Sequence, residues 1–188
     1  MNSKAKKVAL IGMLCAVSYV IVALIQIPVV AVSPTFKLDY EGKDVIIAIG
    51  GFMFGPAASL IISIVVSFIE MVTISSTGFI GFFMNVLSSC GFAFTAAVIY
   101  KKIHTLKGAI IGLIAGTLVS TVLMILWNYI MTPIFMGVPR AAVADLLVPI
   151  FLPFNLFKNG VNAVITLLIY KPIVRGLRKA HILEAKQI

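Results

Sequence analysis

Residues 44–73 read DVIIAIGGFMFGPAASLIISIVVSFIEMVT, an apolar run that contains the dipeptide Gly55-Pro56. Glycine followed by proline is a point at which one helix can end and another can begin. The number of helices in the fold therefore depends on whether this run crosses a membrane once or reverses at Gly55-Pro56. The rest of the chain supplies the answer.

The whole chain has the composition of a membrane protein: 61% of its 188 residues are hydrophobic and 11% are charged, and its mean hydropathy is +1.15. We expect one integral membrane domain over residues 1–188. Other apolar runs cover 8–32, 79–100, 108–136 and 146–170. The first run is longer than the apolar region of about 7–15 residues in a signal peptide, so we expect a retained helix.

The basic residues give the orientation of these runs. Eleven of the fifteen lie in three clusters, which are Lys4, Lys6 and Lys7, then Lys101, Lys102 and Lys107, then Lys171, Arg175, Arg178, Lys179 and Lys186. Positively charged loops stay in the cytoplasm, which places all three clusters inside. The net charge of +9 is explained by this topology, and nothing in the sequence indicates binding to nucleic acid.

The number of crossings follows from the same clusters. An even number of crossings must separate the N-terminus from Lys101, so the run 44–73 has to reverse. We predict an all-α fold, a six-helix transmembrane bundle with both termini cytoplasmic, with spans near 6–28, 43–54, 56–74, 79–102, 107–131 and 149–176. The span 43–54 reaches only about 18 Å, so it is a short or tilted helix covered by protein, or a re-entrant element.

Three connections then lie outside, at 29–42, 75–78 and 132–148. The first extracellular loop, 29–42, is long, and long loops in compact domains are often lids or binding loops. The third has the composition for a short surface helix over 139–147.

Six strongly polar side chains within the apolar spans fall in the outer half of the membrane. A charged side chain at bilayer depth costs about 2.5–3.5 kcal/mol, so such residues need a partner or a function. They predict a solute pocket that faces outward, and they are Glu70, Asn85, Asn128, Asn155, Lys158 and Asn159.

Structural interpretations of these residues stay open. Asparagines on one helix face, such as Asn155 and Asn159, also form interhelical hydrogen bonds. Trp127 fits an interfacial aromatic belt as well as a ligand-stacking position. Glu70 and Lys158 either form a structural ion pair or bind polar groups of a ligand.

Small residues four apart allow helices to approach closely. Gly108, Gly112 and Gly116 indicate internal packing, whereas Gly12 and Ala16 on the first span could instead dock a partner protein. The chain has no P-loop, no nucleophile elbow and no metal-binding motif. A pocket without an energising motif suggests a binding subunit and not an enzyme.

Two motifs carry a family resemblance: Lys37-Leu-Asp-Tyr40, and Gly50-Gly-Phe-Met-Phe-Gly-Pro56. With these, the chain resembles the substrate-binding subunits (S components) of energy-coupling factor (ECF) vitamin transporters, and in particular the riboflavin-binding type. The resemblance implies a multi-pass protein of the bacterial cell membrane that captures riboflavin outside, under a gate formed by loop 29–42. It implies no cofactor, and as partners a transmembrane coupling protein and two ABC-type ATPases.

The resemblance also implies roles for individual residues. The loop would contribute Leu38, Asp39 and Tyr40 to the ligand site, beside Trp127 and the polar residues of the outer half. Apolar and aromatic walls suit the isoalloxazine ring, and amides and charged groups suit its uracil-like edge and the ribityl hydroxyls. The family carries Ala-x-x-x-Ala on its first helix to dock the coupling protein. In this chain Gly12 replaces the first alanine and Ala16 is retained.

Two other functions stay open. A stand-alone facilitator or channel would need a polar route through the inner half, and it would pass solute when purified alone. A small membrane enzyme acting on another solute would use Glu70 and Lys158 and would form product.

Overall fold

The computed structural model describes residues 3–31 and 37–179, and it is mostly helical. Its elements are helix α1 (Ser3–Leu24), strands β1 (Gln26–Ala31) and β2 (Lys37–Glu41), and helices α2 (Lys43–Phe54), α3 (Pro56–Thr73), α4 (Gly78–Ser89), α5 (Thr95–Lys102), α6 (Leu106–Met136), α7 (Arg140–Leu146) and α8 (Leu152–Lys179). Short π-helical turns, Cys90–Phe94 and Leu147–Phe151, join α4 to α5 and α7 to α8.

Five helical stretches in the described ranges are long and apolar enough to cross a membrane, which are Lys4–Leu24, Pro56–Thr73, Gly78–Lys102, Leu106–Met136 and Arg140–Ile173. Two boundaries in the second half of the chain differ clearly from the sequence prediction. Helix α6 continues past Pro133 to Met136. The predicted surface helix exists as α7, but it runs through a π turn into α8, so it opens the last long helical stretch.

The predicted reversal at Gly55-Pro56 is present. Helix α2 ends at Phe54, Gly55 adopts φ +92°, and Pro56 is the first residue of α3. A positive φ suits glycine, and proline suits the first turn of a helix because that turn does not need its N–H.

Helix α2 is enclosed by the rest of the protein, since every residue from Lys43 to Met53 is buried. Its glycines make this possible. A Cβ added at Gly51 would lie 2.8 Å from Ala97 Cβ and 3.0 Å from Ser59 Cβ. The glycines in the motif over 50–56 thus let α3 and α5 approach the α2 backbone. Among the glycine stripe of α6, a Cβ at Gly112 would lie 2.7 Å from Ala96 O, which agrees with internal packing.

The segment after α1 is a β-hairpin, so the prediction of an all-α fold with a loop over 29–42 was wrong in this region. Helix α1 ends at Leu24, four residues before the predicted limit, and β1 pairs antiparallel with β2. The β-branched residues of β1 favour a strand, and Pro28, which has no N–H, lies beside a register shift between Pro28 and Val30. Residues 32–36 of the predicted loop lie outside the described residues.

Candidate functional site

A cavity of about 140 Å³ lies between the hairpin, α3, α4, α6 and α8. Polar and charged side chains dominate its wall, with Met84, Met124 and Phe154 as apolar neighbours. The lining residues are Gln26, Lys37, Leu38, Asp39, Glu41, Glu70, Ile74, Ser75, Ser76, Thr77, Met84, Asn85, Ser88, Met124, Asn128, Phe154, Asn155 and Lys158.

The structure brings together seven of the ten residues that the sequence suggested for a ligand site. They come from five elements of secondary structure, and they are Leu38, Asp39, Glu70, Asn85, Asn128, Asn155 and Lys158. Because they are far apart in sequence, only the tertiary fold makes them neighbours.

Three suggested residues do not line this cavity. The Tyr40 hydroxyl donates a hydrogen bond to Asn162 Oδ1 at 2.9 Å. Trp127 borders a separate small depression beside Thr132 and Phe135. Asn159 is fully buried, and within residues 3–31 and 37–179 neither polar atom of its side-chain amide has a hydrogen-bond partner.

A cluster of four charged side chains closes one side of the cavity. Lys43 Nζ lies 2.6 Å from Glu70 Oε2 and 3.0 Å from Glu41 Oε2, and Lys158 Nζ lies 3.3 Å from Glu41 Oε2. Asn85 Nδ2 also donates to Glu70 Oε2, at 2.7 Å. The cluster joins β2 to α2, α3 and α8. Of the pairings considered from the sequence, Glu70 with Lys158 is not the one formed, because each has another partner.

Glu41 is a charged carboxylate in this setting. Burial alone would raise its pKa, but the ammonium groups of Lys43 and Lys158 outweigh burial and lower the pKa of Glu41 to about 2. Asp39 behaves differently, because burial and the nearby Glu41 carboxylate raise the pKa of Asp39 above its ordinary value. Two carboxylates on one strand therefore have opposite tendencies to take up a proton.

Glu70 keeps one acceptor unused. Its Oε1 atom is buried and has no hydrogen-bond partner among the described residues, while Oε2 accepts from both the Lys43 ammonium and the Asn85 amide. A buried acceptor without a donor is costly. A hydroxyl or amide group that enters the cavity would satisfy it.

Two of the three cavity asparagines, Asn128 and Asn155, are oriented by their own helices. Asn128 Nδ2 donates to Met124 O at 2.7 Å, and Thr132 Oγ1 donates to Asn128 Oδ1 at 2.8 Å. Asn155 Nδ2 donates to Phe151 O, also at 2.7 Å. Phe151 ends the π-helical turn before α8, and such turns often occur at functional sites. Each amide thus has a fixed direction before any ligand binds.

Sequence reasoning missed Glu41 and Lys43. Both sit between the hairpin and α2, and a lysine directly before an apolar run was a signal that it needed a buried partner. It also missed Asn162 as an anchor, which accepts from Tyr40 and donates to Glu41 O at 3.4 Å. These two bonds tie β2 to α8.

The suggested docking residues lie elsewhere. Gly12 and Ala16 are exposed on α1, and a Cβ added at Gly12 would meet no atom within 4 Å. Within the described chain, a side chain at Gly12 would thus meet no neighbour, unlike one at the glycines of α6, and Ala16 lies exposed on the same helix.

Comparison with known proteins places the chain among transport proteins. The family described as "ECF transporter, substrate-specific component" matches residues 6–170. Riboflavin transporter RibU of Staphylococcus aureus (strain TCH60) is 30% identical over 180 residues, 93% of each chain. Riboflavin transporter FmnP of Bacillus subtilis (strain 168) is 28% identical over 191 residues, 95% of this chain and 99% of the relative.

A solved structure has the same fold. The protein described in "Structure and mechanism of the S component of a bacterial ECF transporter" superposes with a TM-score of 0.77 at 28% identity, over 93% of this chain and 99% of that one. Together with the five apolar helices, these relatives identify a multi-pass protein of the bacterial cell membrane. The chain belongs to the family of ECF transporter substrate-specific components.

Proposed function

We propose that this chain is the riboflavin-binding subunit of an ECF-type importer, and that the cavity beside the four-charge cluster is its vitamin site. The observation that carries the proposal is the convergence of preoriented amides and an unused buried acceptor in one cavity. The riboflavin transporters to which the chain is similar support the choice of ligand.

The polar groups suit the chemistry of riboflavin. Glu70 Oε1 accepts a hydroxyl of the ribityl chain, while Asn128, Asn155 and Lys158 meet the uracil-like edge and the remaining hydroxyls. Met84, Met124 and Phe154 supply apolar wall for the ring system. A site that hydrogen-bonds each polar edge rejects analogues that lack those groups.

The charge balance favours an uncharged ligand. Lys37, Lys43 and Lys158 oppose four carboxylates in or next to the cavity, which are Asp39, Glu41, Glu70 and Asp44. A flavin phosphate would bring about −1.5 to −2 charges at pH 7, and no ammonium group of the cluster is left to neutralise them. We therefore assign riboflavin and not its phosphate as the ligand.

Entry of the vitamin requires the site to open. The cavity holds about 140 Å³, and sites for small molecules usually measure about 300–1,000 Å³. The hairpin β1–β2 is the wall that moves. To open, it has to break the Glu41–Lys158 ion pair and the Tyr40–Asn162 hydrogen bond, which hold it to α8. It acts as the gate that the sequence suggested for loop 29–42, and Asn159 and Tyr40 contact the ligand only if opening exposes them.

The topology that we propose has six helices, with α2 as the short one and both termini in the cytoplasm. The basic residues at the end of α5 and towards the end of α8 support this orientation. The vitamin site, at the start of α2, then faces outward.

Uptake is energised by partners in this proposal. The chain would work with a transmembrane coupling protein and two ABC-type ATPases, and the exposed Gly12 and Ala16 would form the docking surface. The chain itself would catalyse no reaction.

The test is a titration of riboflavin into the detergent-purified protein, followed by quenching of flavin fluorescence, with riboflavin 5′-phosphate as a matched ligand. We expect stoichiometric quenching by riboflavin without ATP, and binding of the phosphate at least about tenfold weaker. No binding of any flavin would overturn the proposal. Riboflavin flux through the purified protein alone in liposomes would favour a facilitator, and a converted product would favour an enzyme.

A further inference from the structure

A second cavity, of about 270 Å³, lies at the other end of α2 from the proposed vitamin site. Residues 51–55, at the end of α2, form one wall. Lys7 of α1, Lys101 of α5 and His104 just after α5 contribute basic groups, and Tyr100 completes the lining. Helix α2 lies between the two cavities, and its 12 residues span about 18 Å.

Among the residues that the structure describes, no aspartate or glutamate lines this cavity. In the same described ranges, the ion pairs involve Lys43 and Lys158 with Glu41 and Glu70, all at the far end of α2. Within the described residues, the ammonium groups of Lys7 and Lys101 therefore present positive charge that no carboxylate of the cavity wall neutralises.

The start of α3 borders the cavity without offering it a free donor there. Gly55, the N-cap of α3, lines the cavity, but its N–H bonds Gly51 O, Pro56 has no N–H, and the Ala58 N–H bonds Gly55 O. The basic side chains are therefore the groups that favour an anion at this cavity.

The floor of the cavity is aromatic. The Phe52 and Tyr100 rings lie 4.5 Å apart, and the Tyr100 and Tyr170 hydroxyls are 3.0 Å apart. A surface with basic groups at its rim and aromatic rings below suits a molecule that has an anionic head and an apolar body.

We propose that this cavity binds the phosphate headgroup of an anionic phospholipid of the cytoplasmic leaflet, with Lys7, Lys101 and His104 contacting the phosphate. Basic pockets between membrane helices on the cytoplasmic side are known to hold such headgroups. The choice of leaflet rests on the orientation proposed above. Binding itself does not depend on riboflavin, so either proposal can fail without the other.

The test is native mass spectrometry of the full-length protein, with dioleoyl phosphatidylglycerol or dioleoyl phosphatidylcholine added in equal amounts. The variant Lys7→Gln/Lys101→Gln removes two cavity charges. The control Lys4→Gln/Lys102→Gln removes the same charge from exposed lysines outside the cavity. Circular dichroism checks that each variant is folded, and His104→Gln replaces the first variant if that one does not fold.

We expect the wild-type protein to retain phosphatidylglycerol in preference to phosphatidylcholine. The cavity variant should retain at least about tenfold less phosphatidylglycerol, since each lysine near a headgroup raises the affinity about fivefold. The control variant should retain as much as the wild type. Equal loss in both variants, or no preference between the lipids, would overturn the proposal. Thermal stabilisation by inorganic phosphate without a preference for phosphatidylglycerol would overturn the lipid assignment.

Discussion

Lys43 Nζ lies 2.6 Å from Glu70 Oε2, and this ion pair fastens the first turn of α2 to the last turn of α3. The two side chains are only 1% and 3% exposed. A charge in such a place is tolerated because its partner is present, so removal of one partner exposes the full cost of burying the other.

Replacing Lys43 by methionine should destabilise the protein strongly. The variant leaves Glu70 and Glu41 without their shared cation, and loss of one partner of a buried pair costs about 3–5 kcal/mol. Thermal unfolding in detergent measures the effect. The double variant Lys43→Met/Glu70→Gln should recover part of the loss, and Lys37→Met, at an exposed position, should change little. A single variant as stable as the wild type would contradict this account of the cluster.

Two asparagines one turn apart on α8 should differ in their effect on riboflavin binding. Asn155 lines the cavity and Asn159 does not. Asn155→Ala should weaken binding by about 10–100-fold. This range corresponds to the cost of about 1–3 kcal/mol for a buried polar group that is left without its hydrogen bond. Asn159→Ala should weaken it less. Fluorescence titration of both variants decides, and an equal loss would mean that Asn159 reaches the ligand once the hairpin has opened.

The stabilisation that the Glu41 carboxylate gives to the closed hairpin should be lost as the pH falls. Its pKa falls from an ordinary value of 4.5 to about 2 in the folded protein, so its contribution is complete above about pH 4.5. That contribution disappears as the pH falls through about 2, when the carboxylate is protonated. Unfolding measured from pH 7 to pH 3 should show stability declining below about pH 4.5, and Glu41→Gln should flatten this decline. A decline of the same size in the variant would assign it to another carboxylate.

A methyl group at Gly51 should disturb the packing of α2. The Cβ of Gly51→Ala would lie 2.8 Å from Ala97 Cβ, and overpacking of this kind costs about 1–3 kcal/mol. The double variant Gly51→Ala/Ala97→Gly exchanges the two methyl groups and should recover stability. If the double variant is less stable than Gly51→Ala alone, the contact between these residues is not the cause.

Enlarging Gly12 should affect assembly and leave vitamin binding intact. Gly12 faces away from the bundle, so Gly12→Leu leaves the fold unchanged but fills the proposed docking surface. Co-purification with the coupling protein should fall, while Val20→Leu, at another exposed position of α1, should not reduce it. Riboflavin titration serves as the control for folding. Normal co-purification of Gly12→Leu would remove Gly12 from the interface.

The sequence was sufficient for features that depend on local chemistry. Gly55-Pro56 predicted the boundary between α2 and α3, and polar residues in apolar runs predicted five side chains of one cavity. The sequence was insufficient for side-chain contacts between residues that are far apart in the chain. The partner of Glu70 is Lys43 and not Lys158 because the start of α2 packs between α3 and β2. Trp127 faces another depression because helix rotation, which spacing alone does not fix, turns it away from the cavity.

The enclosure of α2 has a consequence for how the protein is made. A helix that is surrounded by protein and begins with Lys43 and Asp44 offers the insertion machinery little that resembles an independent span. We expect it to enter the bilayer together with α3, as one hairpin turned at Gly55, and to lack its packing partners until the elements around it are made. Ala97, which packs against Gly51, is made later. We therefore expect assembly of the protein to be completed around α2 and not outward from α1.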